Sequence, residues 1–251
     1  MNDAPLLIAV HGWMLSRRVW EPFVQRWEQR GIPVRLWCPD LPGFGERSRP
    51  KALLPTLAAY GRWLAAQAQE RAGGRPFILM GHSLGGSVVL HAEAELRGNA
   101  TPGLQGLVCV AAGGGIYQPK PFRQLRAIGR RVVELRPEVL QRLPPPLGHL
   151  GPVRAEGRAA RGLLVNSTSR AAVRQLPEMV TQLSVNSLWI SGERDKVMEP
   201  GYVRHLAGYS PAHEYREIAN CGHLPMQEQP DMLCNEIETW LIAQSLAKPR
   251  S

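Results

Sequence analysis

The chain has 251 residues, 44% of them hydrophobic, with 30 lysines and arginines against 21 aspartates and glutamates and a formal net charge of +9. That length accommodates one large α/β domain with a full core and excludes two of them side by side. No run of about 18 apolar residues is present to cross a bilayer, and Cys38, Cys109, Cys221 and Cys234 show no metal-ligand spacing, so a reducing, cytoplasmic setting without a metal is expected.

Six short apolar runs alternate with longer stretches of helical period, the pattern of parallel strands buried on both faces and joined by helices. The first, Leu6 to Val10, follows Met1-Asn2-Asp3 with no basic stretch or cleavage pattern, which predicts an unprocessed start. His11-Gly12-Trp13-Met14 comes next, then a helix over 18–29. The second run, Val34 to Cys38, leads into Pro39-Asp40-Leu41-Pro42-Gly43-Phe44-Gly45, where Asp40 is expected to hold a turn. A helix over 54–71 precedes the third run, Phe77 to Met80, and a helix over 85–96 follows it. The fourth run, Leu107 to Val110, ends in small residues without a carboxylate. After it come the fifth, Ser187 to Ile190, a helix over 200–207, the sixth, Tyr215 to Ile218, and a helix over 231–246. The fold class is therefore α/β, a doubly wound and mostly parallel sheet of about six strands.

The alternation fails once, over 113–184, where Pro119, Pro121 and Pro144-Pro145-Pro146 break an otherwise helical pattern. Phe122, Leu125, Ile128, Val132 and Leu135 recur at helical spacing and need a surface to pack on. This predicts a core of 1–112 and 185–251 with a helical cap inserted over 113–184. From 111 to 180 twelve basic residues stand against four acidic ones, which is nearly all of the chain's excess charge. Phe122, Arg123, Arg126 and Arg130 are candidate substrate-pocket or cap residues. A rival reading makes the chain a non-catalytic binding protein whose Pro121-to-Arg136 face lies on an anionic membrane surface or a carrier protein. Nucleic acid ranks last, because no recognition module accompanies the charge.

Ligands of parallel sheets bind at the carboxyl ends of the strands, so the chemistry is sought there. Gly81-His82-Ser83-Leu84-Gly85-Gly86 stands between the third strand and its helix. A serine at so sharp an elbow needs strained backbone angles, and the flanking glycines remove Cβ atoms that would collide. The fifth strand is followed by Ser191-Gly192-Glu193-Arg194-Asp195 and the sixth by Asn220-Cys221-Gly222-His223. A hydroxyl needs a neutral imidazole beside it to become a nucleophile, and that imidazole needs a carboxylate to fix its tautomer. Ser83 is the candidate nucleophile, His223 the base and then acid, and Asp195 the orienter, with Glu193 near enough in sequence to be its alternative. His82 is expected to shape the elbow. The His11-Gly12-Trp13-Met14 loop is expected to border the pocket, with the N–H groups of Trp13 and Leu84 forming an oxyanion hole.

With these motifs in this order, the chain resembles the α/β-hydrolase superfamily over nearly all its length outside the cap. It departs from that pattern at the start, which corresponds to the family's third strand, so the antiparallel edge strands are expected to be missing. The strings His11-Gly12-Trp13-Met14-Leu15, Asp40-Leu41-Pro42-Gly43-Phe44-Gly45 and Ser83-Leu84-Gly85-Gly86 are similar to those of carboxylesterases that cleave pimeloyl-acyl carrier protein methyl ester. The resemblance implies a serine esterase without a cofactor, acting on a small or carrier-bound ester, with an arginine-bearing cap that grips an acidic acyl carrier protein. The same triad would also serve carbon–carbon bond hydrolysis, a lyase step or acyl transfer.

Overall fold

The computed structural model describes residues 4–99, 102–112 and 155–247. Among the described residues six strands form one sheet: β1 (Leu6–Val10), β2 (Arg35–Trp37), β3 (Phe77–His82), β4 (Leu104–Val110), β5 (Asn186–Gly192) and β6 (His213–Ile218). Their order is β2-β1-β3-β4-β5-β6 and every neighbouring pair is parallel, so all six strands end at the same rim.

The continuous apolar runs are explained by burial on both faces. Leu6, Ile8, Val10, Leu79, Leu107, Cys109 and Trp189 point into one core, while Leu7, Ala9, Ile78, Met80, Val108, Val110, Leu188 and Ile190 point into the other. The first core is roofed by α2 (Leu57–Ala72), α3 (Leu84–Gly98), α4 (Gly157–Ser167), α5 (Arg170–Thr181) and α6 (Pro200–Ala207). The second is roofed by a 3-10 turn (Arg17–Trp20), α1 (Glu21–Gln29), α7 (Pro225–Glu228) and α8 (Pro230–Ala243). Helices on both faces of a parallel sheet are the doubly wound arrangement expected, and no helix among the described residues is long and apolar enough to cross a membrane.

Among the boundaries that differ from the sequence expectation, three have clear local reasons. β2 keeps only three of five residues, because among the described residues it is an outer strand with β1 as its one partner. β4 begins three residues early, at Leu104, since its pairing with β3 starts there despite the half-polar Leu104-Gln105-Gly106. α2 starts at Leu57 because Thr56 is in extended conformation and its hydroxyl accepts the Ala59 N–H, capping the helix.

Of the segment expected to form a cap, residues 113–154 lie outside the described residues, and with them Phe122, Arg123, Arg126 and Arg130. The remainder forms α4 and α5, whose Ala159, Leu163, Leu176, Met179 and Val180 enter the first core. Glu156, just before α4, receives both an N–H of the Arg49 guanidinium and its Nε–H, at 2.8 and 2.9 Å. Its own N–H donates to Gly43 C=O at 2.7 Å, so α4 begins on the turn that follows β2.

Candidate active site

The elbow places Ser83 where the sheet meets α3. Ser83 has φ 53° and ψ −117°, outside the regions an L-residue prefers, and it is held there by tight backbone packing on both sides. A Cβ on Gly81 would lie 2.3 Å from Gly85 C=O, one on Gly85 2.6 Å from Val10 C=O, and one on Gly86 2.2 Å from the Ala112 side chain. The glycines therefore serve close approach, which lets the first turn of α3 press onto the ends of β1 and β4.

Asp195 and His223 sit on the loops after β5 and β6, and these loops touch backbone to backbone. A Cβ on Gly192 would be 2.1 Å from Gly222 C=O, and Arg194 N–H donates to Cys221 C=O at 2.8 Å. Asp195 is 3% exposed; its Oδ1 accepts the N–H groups of Val197 and Met198 at 2.8 and 2.9 Å, and its Oδ2 accepts His223 Nδ1–H at 2.8 Å. A carboxylate only accepts, so the proton stays on Nδ1 and leaves Nε2 as an acceptor. The Ser83 hydroxyl faces that nitrogen, with Oγ 3.2 Å from Nε2. Three groups far apart in the chain thus form one hydrogen-bonded row. Glu193, the alternative orienter, is turned away: its Oε2 accepts the Asn220 N–H at 2.8 Å.

A family model described as the alpha/beta hydrolase family matches residues 7–236. The chain belongs to the alpha/beta hydrolase family. Its curated relatives include a pimeloyl-[acyl-carrier protein] methyl ester esterase of Xanthomonas axonopodis pv. citri (strain 306), 30% identical over 96% of each chain. One of the same name from Stenotrophomonas maltophilia (strain K279a) is 29% identical, covering 97% of this chain and 95% of that one. Among solved structures, a thermophilic esterase from Thermogutta terrifontis superposes with a TM-score of 0.75 over 96% of this chain and 90% of its own, at 24% identity.

In this alpha/beta hydrolase the remaining predicted residues divide between surface and support. Neither the Trp13 nor the Leu84 N–H is taken by an acceptor among the described residues, and Leu84 opens α3, where amide N–H groups are left unpaired. The Trp13 indole N–H donates to Ala160 C=O at 2.8 Å, tying the loop after β1 to α4. Trp13 and Met14 are half-buried, whereas Gly12 is buried and His11 has no exposed surface. His11 therefore supports the loop from beneath instead of bordering a pocket: Nδ1–H donates to Gly12 C=O at 2.9 Å and Nε2 accepts Leu41 N–H at 3.0 Å. Burial lowers its pKa from 6.5 to about 4, against the opposing pull of the Gly12 bond and the Asp40 charge. Asp40 holds its turn as expected, accepting the N–H groups of Arg17 and Glu46 at 2.6 and 3.0 Å.

Two residues around His223 carry more than sequence reasoning assigned. His82 is buried beside it, ring centroids 4.9 Å apart, and donates from Nε2 to His223 C=O at 2.8 Å. Burial and the neighbouring His223 hold the His82 pKa well below its usual value, so it stays neutral. Glu228, which no motif singled out, accepts the N–H groups of Gly222 and Leu224. Cys221 is no rival nucleophile, since burial pushes its thiol up to about 12 and the carboxylates of Glu228 and Asp195 add to this.

Proposed function

We propose that the chain is a serine esterase working through an acyl-enzyme. The observation that carries this reading is the position of one imidazole between a carboxylate at 2.8 Å and a serine hydroxyl at 3.2 Å, at the rim where all six strands end. Ser83 Oγ attacks the ester carbonyl while its proton passes to His223 Nε2, and Asp195 stabilises the imidazolium that results. The N–H groups of Trp13 and Leu84 receive the oxyanion, aided by the positive end of α3. Collapse expels the alcohol with the proton from Nε2. Water then gives a proton to Nε2 and attacks the acyl group, and collapse of the second intermediate returns the proton to Ser83 as the acid leaves.

For the substrate we propose a methyl ester carried on an acyl carrier protein, supported by the activity for which relatives aligned over nearly the whole chain are named. The arginine-rich stretch of 113–184, including Arg123, Arg126 and Arg130, supports the same reading, because guanidinium groups pair well with phosphate and carboxylates. It would cover the site as a cap while gripping the carrier.

The decisive experiment labels the protein with a fluorophosphonate and follows p-nitrophenyl butyrate hydrolysis in parent and Ser83→Ala. Labelling and turnover both vanish in the variant on this reading; labelling that survives the substitution refutes the nucleophile. A methyl ester presented free and on a carrier then tests the partner, with a higher kcat/KM expected for the carried form.

A further inference from the structure

Glu228 closes the short helix α7, five residues past His223. Its Oε2 accepts the N–H of Gly222 at 2.6 Å and its Oε1 the N–H of Leu224 at 2.9 Å, so one carboxylate holds the backbone N–H of the residue on each side of the histidine. From the opposite side His82, a residue of the elbow strand, donates to the carbonyl of His223 itself at 2.8 Å. Gly222 leaves room for this: a Cβ there would stand 2.9 Å from one Glu228 oxygen and 3.1 Å from the other. Glu228 is an exposed residue with water as a ready partner, yet both of its oxygens are turned onto the loop.

Charge-assisted bonds of this kind are stronger than bonds between neutral groups. A glycine beside the histidine gives the loop backbone freedom that something must restrain. Resting on the reading of His223 as the base, we infer that Glu228 is a positioning residue: with His82 it fixes the 222–224 backbone so that the imidazole stays in line between Asp195 and Ser83. Displacing a reacting group by about 1 Å is enough for a loss of about 10²-fold.

The test compares the full-length parent with Glu228→Ala and Glu228→Gln. The readouts are kcat and KM on a soluble p-nitrophenyl ester, the melting temperature, and the downfield proton resonance of His223 Nδ1–H, assigned by its loss in His223→Ala. We expect Glu228→Ala to lower kcat about 10²-fold with KM within twofold, and to broaden the downfield resonance. Glu228→Gln, which keeps one acceptor oxygen, recovers about tenfold of that loss. If Glu228→Ala does not fold, Glu228→Gln alone carries the test, with kcat about tenfold below the parent. A kcat within twofold of the parent and a sharp resonance in the variant that folds overturn the inference. A parent inactive on every ester, whose His223 resonance still depends on Glu228, sinks the esterase reading and sustains this one.

Discussion

Lowering the pH from 7 to 5 weakens this fold through His11. In the native chain the ring accepts Leu41 N–H on Nε2, and a proton there would set two donors face to face inside a fully buried site. Its pKa is about 4 in the fold and about 6.5 in an unfolded chain. Between those values the unfolded chain binds a proton that the folded chain does not. Stability from this group is therefore complete above about pH 6.5 and is lost as the pH falls toward 4. The linkage relation gives a loss of about 2 kcal/mol between pH 7 and 5, to order of magnitude. His82, also shifted down by burial, acts in the same direction. Asp40 Oδ1, 3.9 Å from Nε2, softens the effect by favouring the protonated ring. His11→Gln removes the titration while offering an oxygen to Leu41 N–H. Urea midpoints followed by tryptophan fluorescence at both pH values measure it. The parent should lose about 2 kcal/mol more than the variant over this interval. Equal losses in the two proteins would refute the reasoning.

Asp195→Asn keeps an acceptor for Val197 and Met198 but removes the charge facing His223. Its kcat on p-nitrophenyl butyrate is expected to fall by about 10³- to 10⁴-fold with an unchanged melting temperature, and a loss under tenfold would remove Asp195 from the row. Trp13→Phe deletes the indole N–H held by Ala160 C=O while keeping an aromatic ring. We expect about 1 kcal/mol less stability in urea and a kcat about 5- to 10-fold lower, because the loop that offers the Trp13 N–H loses its tie to α4. Unchanged kcat would separate that tie from the chemistry.

The parallel sheet was readable because its central strands are buried on both faces, so Leu6 to Val10 and Phe77 to Met80 appear as unbroken apolar runs. Where that condition lapses the reading was less exact: Val34 and Cys38 flank the outer strand without pairing, and Leu104 to Gly106 look too polar to be strand. Serine, acid and histidine were legible because strand-end loops with glycine are short and their chemistry sparse. Asp195 was the orienter read from the sequence, but setting aside its alternative Glu193 required geometry, since the Asn220 N–H that holds Glu193 is 27 positions away in the chain. His11 was misread as a pocket residue because a histidine beside a glycine loop looks the same whether its ring turns up toward substrate or down into the core. Glu228 left no trace beyond a single acid on a four-residue helix.

The parallel pairing of β4 with β5 joins Gly106 to Asn186, and Ser83 meets His223 across 140 residues. Contacts of such long sequence separation form late and slowly, once most of the chain is available. A growing polypeptide that has left the ribosome only as far as β5 has Ser83 but not yet His223, the imidazole that faces it in the finished fold. On the esterase reading proposed above, products truncated before position 223 would be inert for the same reason, unable to acylate themselves or hydrolyse cellular esters while their apolar surfaces are still uncovered.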